Sequence, residues 1–328
     1  MKNRIIWIDT IRGLCMMAIL LYHTEVYYSE SEISDYNLYA SNALIIFFFV
    51  SGYLMYREHS FQLQHRLKSV LSRIIMPYFI FTLILAVGKC ALQDKSVTQM
   101  LQNVILGMAS WFIAALALSE ILFSLLLYLS EKYCKYILPF SCLAFFICSV
   151  FLNSVDVEIW NYNISLMAML FLYAGYLYHR HEAQLLKLNH IGGTLLAAIV
   201  LIMIKYMEYR YDVKIMICPL LINNYPIFLM DSFVSILLLV NISKRIPRVK
   251  LITYMGSHSI TYYFLCGIMP LLTGVLLRKV SFPYSGYYYR VFIALAIVYV
   301  LTTVVTWIIY NYLSWMVDFH FEKRKTES

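Results

Sequence analysis

The stretch Ile5–Glu25, IIWIDTIRGLCMMAILLYHTE, has the length and apolar content of a membrane-spanning helix, yet it contains Asp9, Arg12 and His23. An arginine at hydrocarbon depth costs about 2.5–3.5 kcal/mol even on the insertion scales that give low values. Such a residue is tolerated mainly where it faces a partner or a water-filled cavity. The stretch therefore predicts a membrane protein whose first helix carries a functional face.

Arg12 and His23 share one side of that predicted helix. They are eleven residues apart. In an α-helix this separation is a rotation of about 1100° around the axis, or three turns plus roughly 20°, and an axial rise of about 16 Å. Asp9 precedes Arg12 by three residues, close enough for an i,i+3 pair. A cation near one end and an imidazole near the other predict a helix that lines a path across the membrane.

The composition of the whole chain supports a membrane protein. Of its 328 residues, 62% are hydrophobic and 13% are charged, against about 45–50% and 25% in soluble domains. The apolar runs are long and continuous, which predicts helices rather than barrel strands. We therefore expect an all-α polytopic transmembrane bundle that forms a single domain over residues 1–328. The segment after Met1 has no small-residue cleavage site, so we expect the first span to be retained.

Ten segments are candidate spans, at residues 6–28, 39–56, 71–92, 107–130, 137–153, 163–179, 192–209, 220–242, 252–277 and 290–314. The region 205–224 is polar, then apolar, then polar, which predicts a short interfacial or re-entrant helix. Eight of the 26 Lys and Arg residues fall on the side opposite the N-terminus: Lys89, Lys95, Lys205, Arg210, Lys214, Arg278, Lys279 and Arg290. All the others except Arg12 fall on the N-terminal side, so both termini are predicted to be cytoplasmic. Arg12 then lies toward the cytoplasm and His23 toward the outside.

The first inner loop, Arg57–Arg73, is the densest basic region near a membrane face. One interpretation is a loop that only sets the topology and contacts anionic lipid. The other is a binding site for a phosphorylated cytosolic ligand such as a coenzyme A ester. Arginine suits that ligand because its guanidinium binds phosphate oxygens with two parallel hydrogen bonds.

Several further polar residues are candidates for chemistry. His23 is either an ordinary polar side chain at a span end or a general base for a hydroxyl. Glu25 lies on another face of the helix and could orient an acceptor sugar. Glu120, Asp231 and His258 are ionisable residues within spans, which makes them functional candidates, although each could instead form an interhelical bond or pair with Arg12. Trp111 begins its span and is either part of an aromatic belt or a pocket wall.

No common sequence motif supports ATP-driven transport, dinucleotide redox chemistry, zinc proteolysis or the usual serine hydrolase mechanism. The chain contains no phosphate-binding loop, dinucleotide-binding fingerprint, HExxH zinc motif or GxSxG elbow. Its seven cysteines form no CxxC pair, and most lie in apolar runs, so neither a disulfide framework nor a metal site is indicated. The net charge of +8 lies in loops between spans, and we do not expect nucleic-acid binding.

Short motifs in order along the chain resemble the membrane acyltransferase 3 family. They are IDTIRG (Ile8–Gly13) followed by LLYH, FFFVSGYLM (Phe47–Met55), SRIIMPY (Ser72–Tyr78), WFIAAL (Trp111–Leu116), YAGYLYHR (Tyr173–Arg180) and MGSHSITYYFL (Met255–Leu265). The short WFIAAL form is similar to the branch with fucose 4-O-acetylase-like proteins. Two positions depart from the family pattern: Val70 stands where a second loop arginine is frequent, and Cys266 stands where a histidine is frequent.

The resemblance implies transfer of an acyl group, usually acetyl from acetyl-CoA, to a hydroxyl of a sugar in a cell-surface or secreted glycan. It implies a multi-pass protein of the bacterial inner membrane that meets a glycan or lipid-linked sugar acceptor. Arg12 and His23 are then the expected catalytic residues, with His23 as general base; a covalent acyl-enzyme stays an alternative.

The donor and acceptor sides can be assigned in the same way. We expect the donor to bind at Arg12, Arg66, Lys68 and Arg73, and the acceptor near Glu25, Trp111 and Glu120. Two rival functions stay open at this point. One is a proton-coupled secondary transporter that uses Glu120 and Asp231, and the other is a non-catalytic component of a glycan assembly complex. No internal repeat or pair of broken spans supports the transporter.

Overall fold

The structure is a computed structural model that describes residues 5–93, 96–152, 159–185 and 189–319, with only the backbone of residues 88–93. Some of the cations counted above lie outside the described residues, namely Lys2, Arg4, Lys95, Lys187, Lys323, Arg324 and Lys325, and so does the side chain of Lys89. The described part is almost entirely helical, with one two-stranded hairpin. The predicted all-α polytopic membrane architecture is confirmed.

The α-helices, in chain order, are α1 (Ile6–Ser29), α2 (Tyr36–Met55), α3 (Leu63–Val70), α4 (Met76–Gln93), α5 (Val97–Ile105), α6 (Trp111–Lys132), α7 (Ile137–Phe151), α8 (Tyr162–Arg180), α9 (Glu182–Leu185), α10 (Ile191–Arg210), α11 (Tyr225–Arg245), α12 (Lys250–Ser257), α13 (Ser259–Leu265), α14 (Ile268–Lys279) and α15 (Tyr289–Tyr312). A π-helix, Leu71–Ile75, joins α3 to α4, and 3₁₀ turns occupy Ile159–Asn161 and Ser314–Met316. The strands are β1 (Ile215–Met216) and β2 (Leu221–Ile222).

Within the described residues, seven helices are long and apolar enough to cross a membrane: Ile6–Ser29, Tyr36–Met55, Leu63–Val87, Trp111–Lys132, Ile191–Arg210, Tyr225–Arg245 and Tyr289–Tyr312. The pair α13 and α14, bent by 47° at its break, adds an eighth if it counts as one span. Nine of the ten predicted segments each overlap one main helix, whereas the segment 252–277 is divided among α12, α13 and α14. Of the nine, α7 has only 15 residues, and α8 does not meet the same criteria. The predicted number of ten spans and the cytoplasmic location of both termini stay predictions.

The chain divides into two compact units, and neither is continuous in sequence. The first comprises Met1–Tyr56 and Phe171–Val304, and the second Arg57–Leu170 and Val305–Ser328. The helices α8 and α15 each contribute residues to both units. The predicted single domain over residues 1–328 stays a prediction.

Helix α1 is the central element of the first unit, where it packs against α2, α11, α12, α13 and α14. Its crossing with α12 depends on two glycines. A Cβ atom on Gly13 would lie 2.1 Å from the carbonyl oxygen of Ile252, and one on Gly256 would lie 1.8 Å from that of Asp9. Small residues at a crossing allow membrane helices to approach closely, so the backbones of α1 and α12 are in direct contact.

A second glycine pair brings α2 and the end of α8 together in the same unit. A Cβ on Gly52 would lie 1.9 Å from the carbonyl oxygen of Leu172, and one on Gly175 would lie 1.9 Å from that of Phe49. The glycines of four sequence motifs thus form two helix crossings. These motifs hold the first unit together whatever chemistry they support.

The helix predicted within residues 205–224 is wrong. Residues up to Arg210 complete α10, and the rest forms the β1–β2 hairpin, in which Ile215 pairs with Ile222. The side chain of Asn37 holds this hairpin, since it donates to the carbonyl of Val213 (3.0 Å) and accepts from the N–H of Ile215 (3.2 Å). One face of the hairpin, with Ile215 and Ile222, is buried, whereas Met216 and Leu221 on the other face are each 46% exposed. The buried face explains why a segment with polar ends folds onto the protein.

In the second unit, α6 packs against α3, the π-helix and α7, and α4 packs against α5. Tyr78 is fully buried, and its hydroxyl donates to the carbonyl of Val104 at 2.8 Å. Its ring contacts that of Trp160. The backbone N–H of Trp160 donates to the carbonyl of Leu106 at 2.7 Å. These bonds fix the approach to α6, the helix that carries Trp111 and Glu120.

Candidate active site

Helix α1 runs without interruption from Ile6 to Ser29, so Arg12 and His23 lie on one face about 16 Å apart along the axis. Both side chains are partly buried. Between them on that face, Met16 and Leu20 are completely buried and Ile19 is 4% exposed. The stripe that joins the two polar residues therefore faces packed protein rather than lipid.

Tyrosine rings surround His23 at the end of α1. The imidazole lies edge-on to Tyr22, with ring centroids 5.6 Å apart, and stacks on Tyr27 at 6.1 Å. Tyr22 also contacts the ring of Tyr36, at 5.1 Å, and its hydroxyl donates to the carboxylate of Glu32 at 2.5 Å. The imidazole of His23 is therefore partly buried among aromatic rings, and its role as a general base stays a prediction.

Glu25, predicted to orient the acceptor, is completely buried. Its two oxygens accept bonds from the N–H and the hydroxyl of Ser34, each at 3.1 Å, and from the hydroxyl of Tyr288. Burial and the bond to Glu25 raise the pKa of Tyr288, which keeps its donating proton in place at neutral pH. Glu25 thus fixes the loop after α1 and the segment before α15, and its contact with an acceptor stays a prediction.

Two predicted site residues of the second unit pair directly. Arg66 on α3 donates from Nη2 to Glu120 on α6 at 2.7 Å; the side chains are 21% and 7% exposed. Within the described part of the chain, Nε of Arg66 is buried and has no hydrogen-bond partner. The bond to Glu120 therefore holds the guanidinium of Arg66 in one orientation.

Arg73 lies on the π-helix Leu71–Ile75, a feature that sequence reasoning missed although Pro77 indicates it. Proline has no N–H to donate to the carbonyl four residues before it, which is that of Arg73, and its ring clashes with that carbonyl. A widened π turn avoids the clash, and such turns are frequent at functional sites. Arg73 is 64% exposed and pairs with Asp318 at 3.4 Å.

The other two predicted residues of the second unit make less specific contacts. Lys68 is exposed, and it lies two residues after Arg66 on α3, which puts it about 200° around the helix from that arginine. Trp111 begins α6 and is partly buried, with its ring edge-on to Phe112 at 5.8 Å. The cations of the predicted donor site therefore do not share one helix face.

A buried charge cluster in the first unit was only partly predicted, because the sequence indicated Asp231 but not its partners. The ammonium of Lys205 lies 2.9 Å from Asp231 and 3.0 Å from Glu208, and it donates to the carbonyl of Asn37 at 2.6 Å. Asn42 also donates to Asp231, at 2.7 Å. Lys205 and Glu208 are three residues apart, a spacing that could have indicated the pair.

A second missed cluster joins the ends of four helices in the first unit. Lys244 donates to Glu182 at 2.7 Å and lies over the ring of Trp7, 5.0 Å from its centroid. Glu182 also accepts from the hydroxyl of Tyr53 at 2.5 Å. Burial opposes ionisation of Glu182, but the bonds from Lys244 and Tyr53 outweigh it and lower the pKa of Glu182.

The predicted residues thus fall into two groups. Arg12, His23 and Glu25 belong to the first unit, and Arg66, Lys68, Arg73, Trp111 and Glu120 belong to the second. His258, also in the first unit, directs Nδ1 at the carbonyl of Tyr254, at 2.8 Å. Over the described ranges, no three His, Cys, Asp or Glu side chains are grouped as metal ligands.

Comparison with known proteins gives one match. The model of the acyltransferase 3 family, described as an acyltransferase domain, matches residues 5–310. Neither a curated protein nor a solved structure matches the chain. The family match covers nearly the whole of the chain and ends within α15 at residue 310.

Proposed function

Because the chain belongs to the acyltransferase 3 family, we propose that it transfers an acetyl group from acetyl-CoA to a sugar hydroxyl of a cell-surface or secreted glycan. Acyl transfer follows from the family, and the acetyl donor and the sugar acceptor are what we propose. The observation that carries the proposal is the uninterrupted α1, with Arg12 and the tyrosine-flanked His23 at opposite ends of one face.

The proposed reaction has one general base and no covalent enzyme intermediate. His23 accepts the proton of the acceptor hydroxyl while the oxygen of that hydroxyl attacks the thioester carbonyl carbon. The carbon–sulfur bond then breaks, the sulfur leaves with the electron pair, and His23 returns the proton to it. The products are the O-acetylated sugar and free coenzyme A.

We assign binding of the coenzyme A phosphates to the basic α3 and π-helix segment. Arg73 and Lys68 are exposed there, and Arg66 is oriented by Glu120. Arginine binds phosphate with two parallel hydrogen bonds, whereas lysine acts as a point charge. Arg12 stays a predicted donor contact of the first unit.

The proposal includes a bacterial plasma membrane and a cytoplasmic N-terminus, which the positive charge of the loops on that side supports. The proton-coupled transporter is disfavoured for two reasons. The family is one of acyltransferases, and the two acids of the supposed relay, Glu120 and Asp231, each form an ion pair, with Arg66 and Lys205 respectively.

The test is His23→Gln in the full-length protein, assayed with radiolabelled acetyl-CoA and glycan acceptors. Glutamine retains a hydrogen bond but cannot accept the proton, so acetyl transfer should fall by about 10²–10⁴-fold. The amount of protein in the membrane should not change. His181→Gln is the matched control, because His181 is exposed and should retain full activity. Full activity of His23→Gln would refute the assignment of the base.

A further inference from the structure

Three tyrosines and one glutamate form a connected rim next to His23. We define the tyrosine rim as Tyr22, Tyr27, Tyr36 and Glu32. Tyr22 and Tyr27 contact the imidazole, and Tyr22 links the ring of Tyr36 to the carboxylate of Glu32. Aromatic faces, a hydroxyl and a carboxylate therefore converge beside the proposed base.

The rim differs from tyrosines that serve only as a belt at the membrane surface. Tyr206, Tyr209 and Tyr211 are 65%, 86% and 67% exposed, as expected for such a belt. The three rim tyrosines are partly buried, and their rings contact one another or His23. Burial against a potential base indicates a binding surface rather than anchorage in lipid.

Glu25 holds the rim in position. Its bonds to the N–H and hydroxyl of Ser34 fix the loop between α1 and α2, which contains Glu32 and leads to Tyr36. Its bond from Tyr288 attaches the segment before α15 to the same point. A buried carboxylate that accepts several bonds is rigid because breaking any of them leaves a buried charge under-satisfied. The rim is therefore preorganised.

The charge of the rim is negative. Glu30 is neutralised by Arg278 at 3.0 Å. Glu32 and Asp35 are exposed, and no Lys, Arg or His of the described chain lies within ion-pair distance of either. An anionic ligand beside Glu32 would meet like charge, whereas the hydroxyls of a neutral sugar donate readily to a carboxylate.

We propose that the tyrosine rim is the acceptor subsite, and that it selects neutral or amino sugars over sugar acids. The inference rests on the proposed function and adds the residues and the chemical class of the acceptor. The apolar face of the sugar ring packs on the tyrosines, and its hydroxyls donate to Glu32. This holds the reacting hydroxyl next to His23.

The experiment uses the full-length protein in liposomes with labelled acetyl-CoA and three glycosides: a hexoside, a glucosaminide and a glucuronide. Wild-type protein should acetylate the first two with a kcat/KM at least tenfold above that for the glucuronide. Tyr22→Phe and Glu32→Gln should each raise the KM for the hexoside at least tenfold and leave the KM for acetyl-CoA unchanged. Glu32→Gln should also reduce the ratio of the kcat/KM for the hexoside to that for the glucuronide.

The matched control is Tyr209→Phe, since Tyr209 lies in α10 and is 86% exposed; both KM values should stay at wild-type levels. Equal acetylation of hexoside and glucuronide by the wild type would overturn the inferred selectivity and leave the proposed function standing. A raised KM for acetyl-CoA in Tyr22→Phe would overturn the acceptor assignment. Failure of the wild type to acetylate any sugar would instead refute the proposed function.

Discussion

Removal of the Lys205 ammonium is expected to destabilise the first unit strongly. Lys205 is the cation between two carboxylates, Asp231 and Glu208, which are 0% and 5% exposed. In Lys205→Met the aliphatic stem stays packed and the charge is lost. The variant therefore leaves two buried carboxylates beside each other with no ammonium to neutralise them.

The size of the effect follows from the distances. At 2.9 and 3.0 Å, each ion pair contributes roughly 5–6 kcal/mol of attraction at an effective dielectric constant of about 20. Desolvation of the ammonium offsets several kcal/mol of this. Removal of one partner from a buried ion pair typically costs about 3–5 kcal/mol. For a unit of about 150–250 residues, this lowers the melting temperature by roughly 6–20 °C.

The assay is thermal unfolding of the full-length protein in detergent, followed by tyrosine and tryptophan fluorescence. Lys214→Met is the matched control, because Lys214 pairs with Asp212 at 3.6 Å while their side chains are 73% and 86% exposed. An exposed pair contributes at most about 1 kcal/mol, so the control should melt near the wild-type temperature.

A double variant separates charge imbalance from lost packing. Lys205→Met with Asp231→Asn removes the cation and one acid, and leaves Glu208 free to become neutral by protonation. It should recover at least half of the melting temperature lost in Lys205→Met. Equal melting temperatures for Lys205→Met and Lys214→Met, or a double variant less stable than Lys205→Met, would refute the reasoning.

Two further predictions concern packing and pH. Gly256→Ala should abolish folding or activity, because its Cβ would lie 1.8 Å from the carbonyl oxygen of Asp9. The control is Gly267→Ala, whose Cβ would meet no atom within 4 Å, and it should yield wild-type amounts of folded protein. Equal yields of the two variants would contradict this packing. Glu182 has a lowered pKa because the hydrogen bonds and charge of Lys244 outweigh burial. The ionised Glu182 therefore stabilises the fold fully above its unfolded pKa of about 4.3, and this stabilisation is lost as the pH falls through the lower pKa of the folded state. Glu182→Gln should lessen the loss of melting temperature below pH 4.5, and an unchanged acid profile would count against the pair.

The sequence motifs predicted a family and one helix face, but not how the motifs support each other. The motif glycines Gly13 and Gly256 meet at one crossing, and Gly52 and Gly175 at another. Nothing in a linear motif indicates its partner, because the contact depends on the approach of two distant helices. The π-helix at Arg73 is different, since Pro77 lies close enough in sequence to have predicted it.

The sequence by itself determined the membrane class, the helical architecture and the face that Arg12 and His23 share. The physical reason is local: apolar segments in lipid must satisfy their own backbone hydrogen bonds, which makes them helices, and the helical repeat then sets which residues share a face. Only the tertiary structure decided the partners of the buried polar groups. Arg66 forms an ion pair with Glu120, which lies 54 residues further along the sequence, and Glu25 is hydrogen-bonded to Tyr288, which lies 263 residues further along. Such pairs form because a buried charge requires a partner, and which residue supplies it depends on which helices pack together.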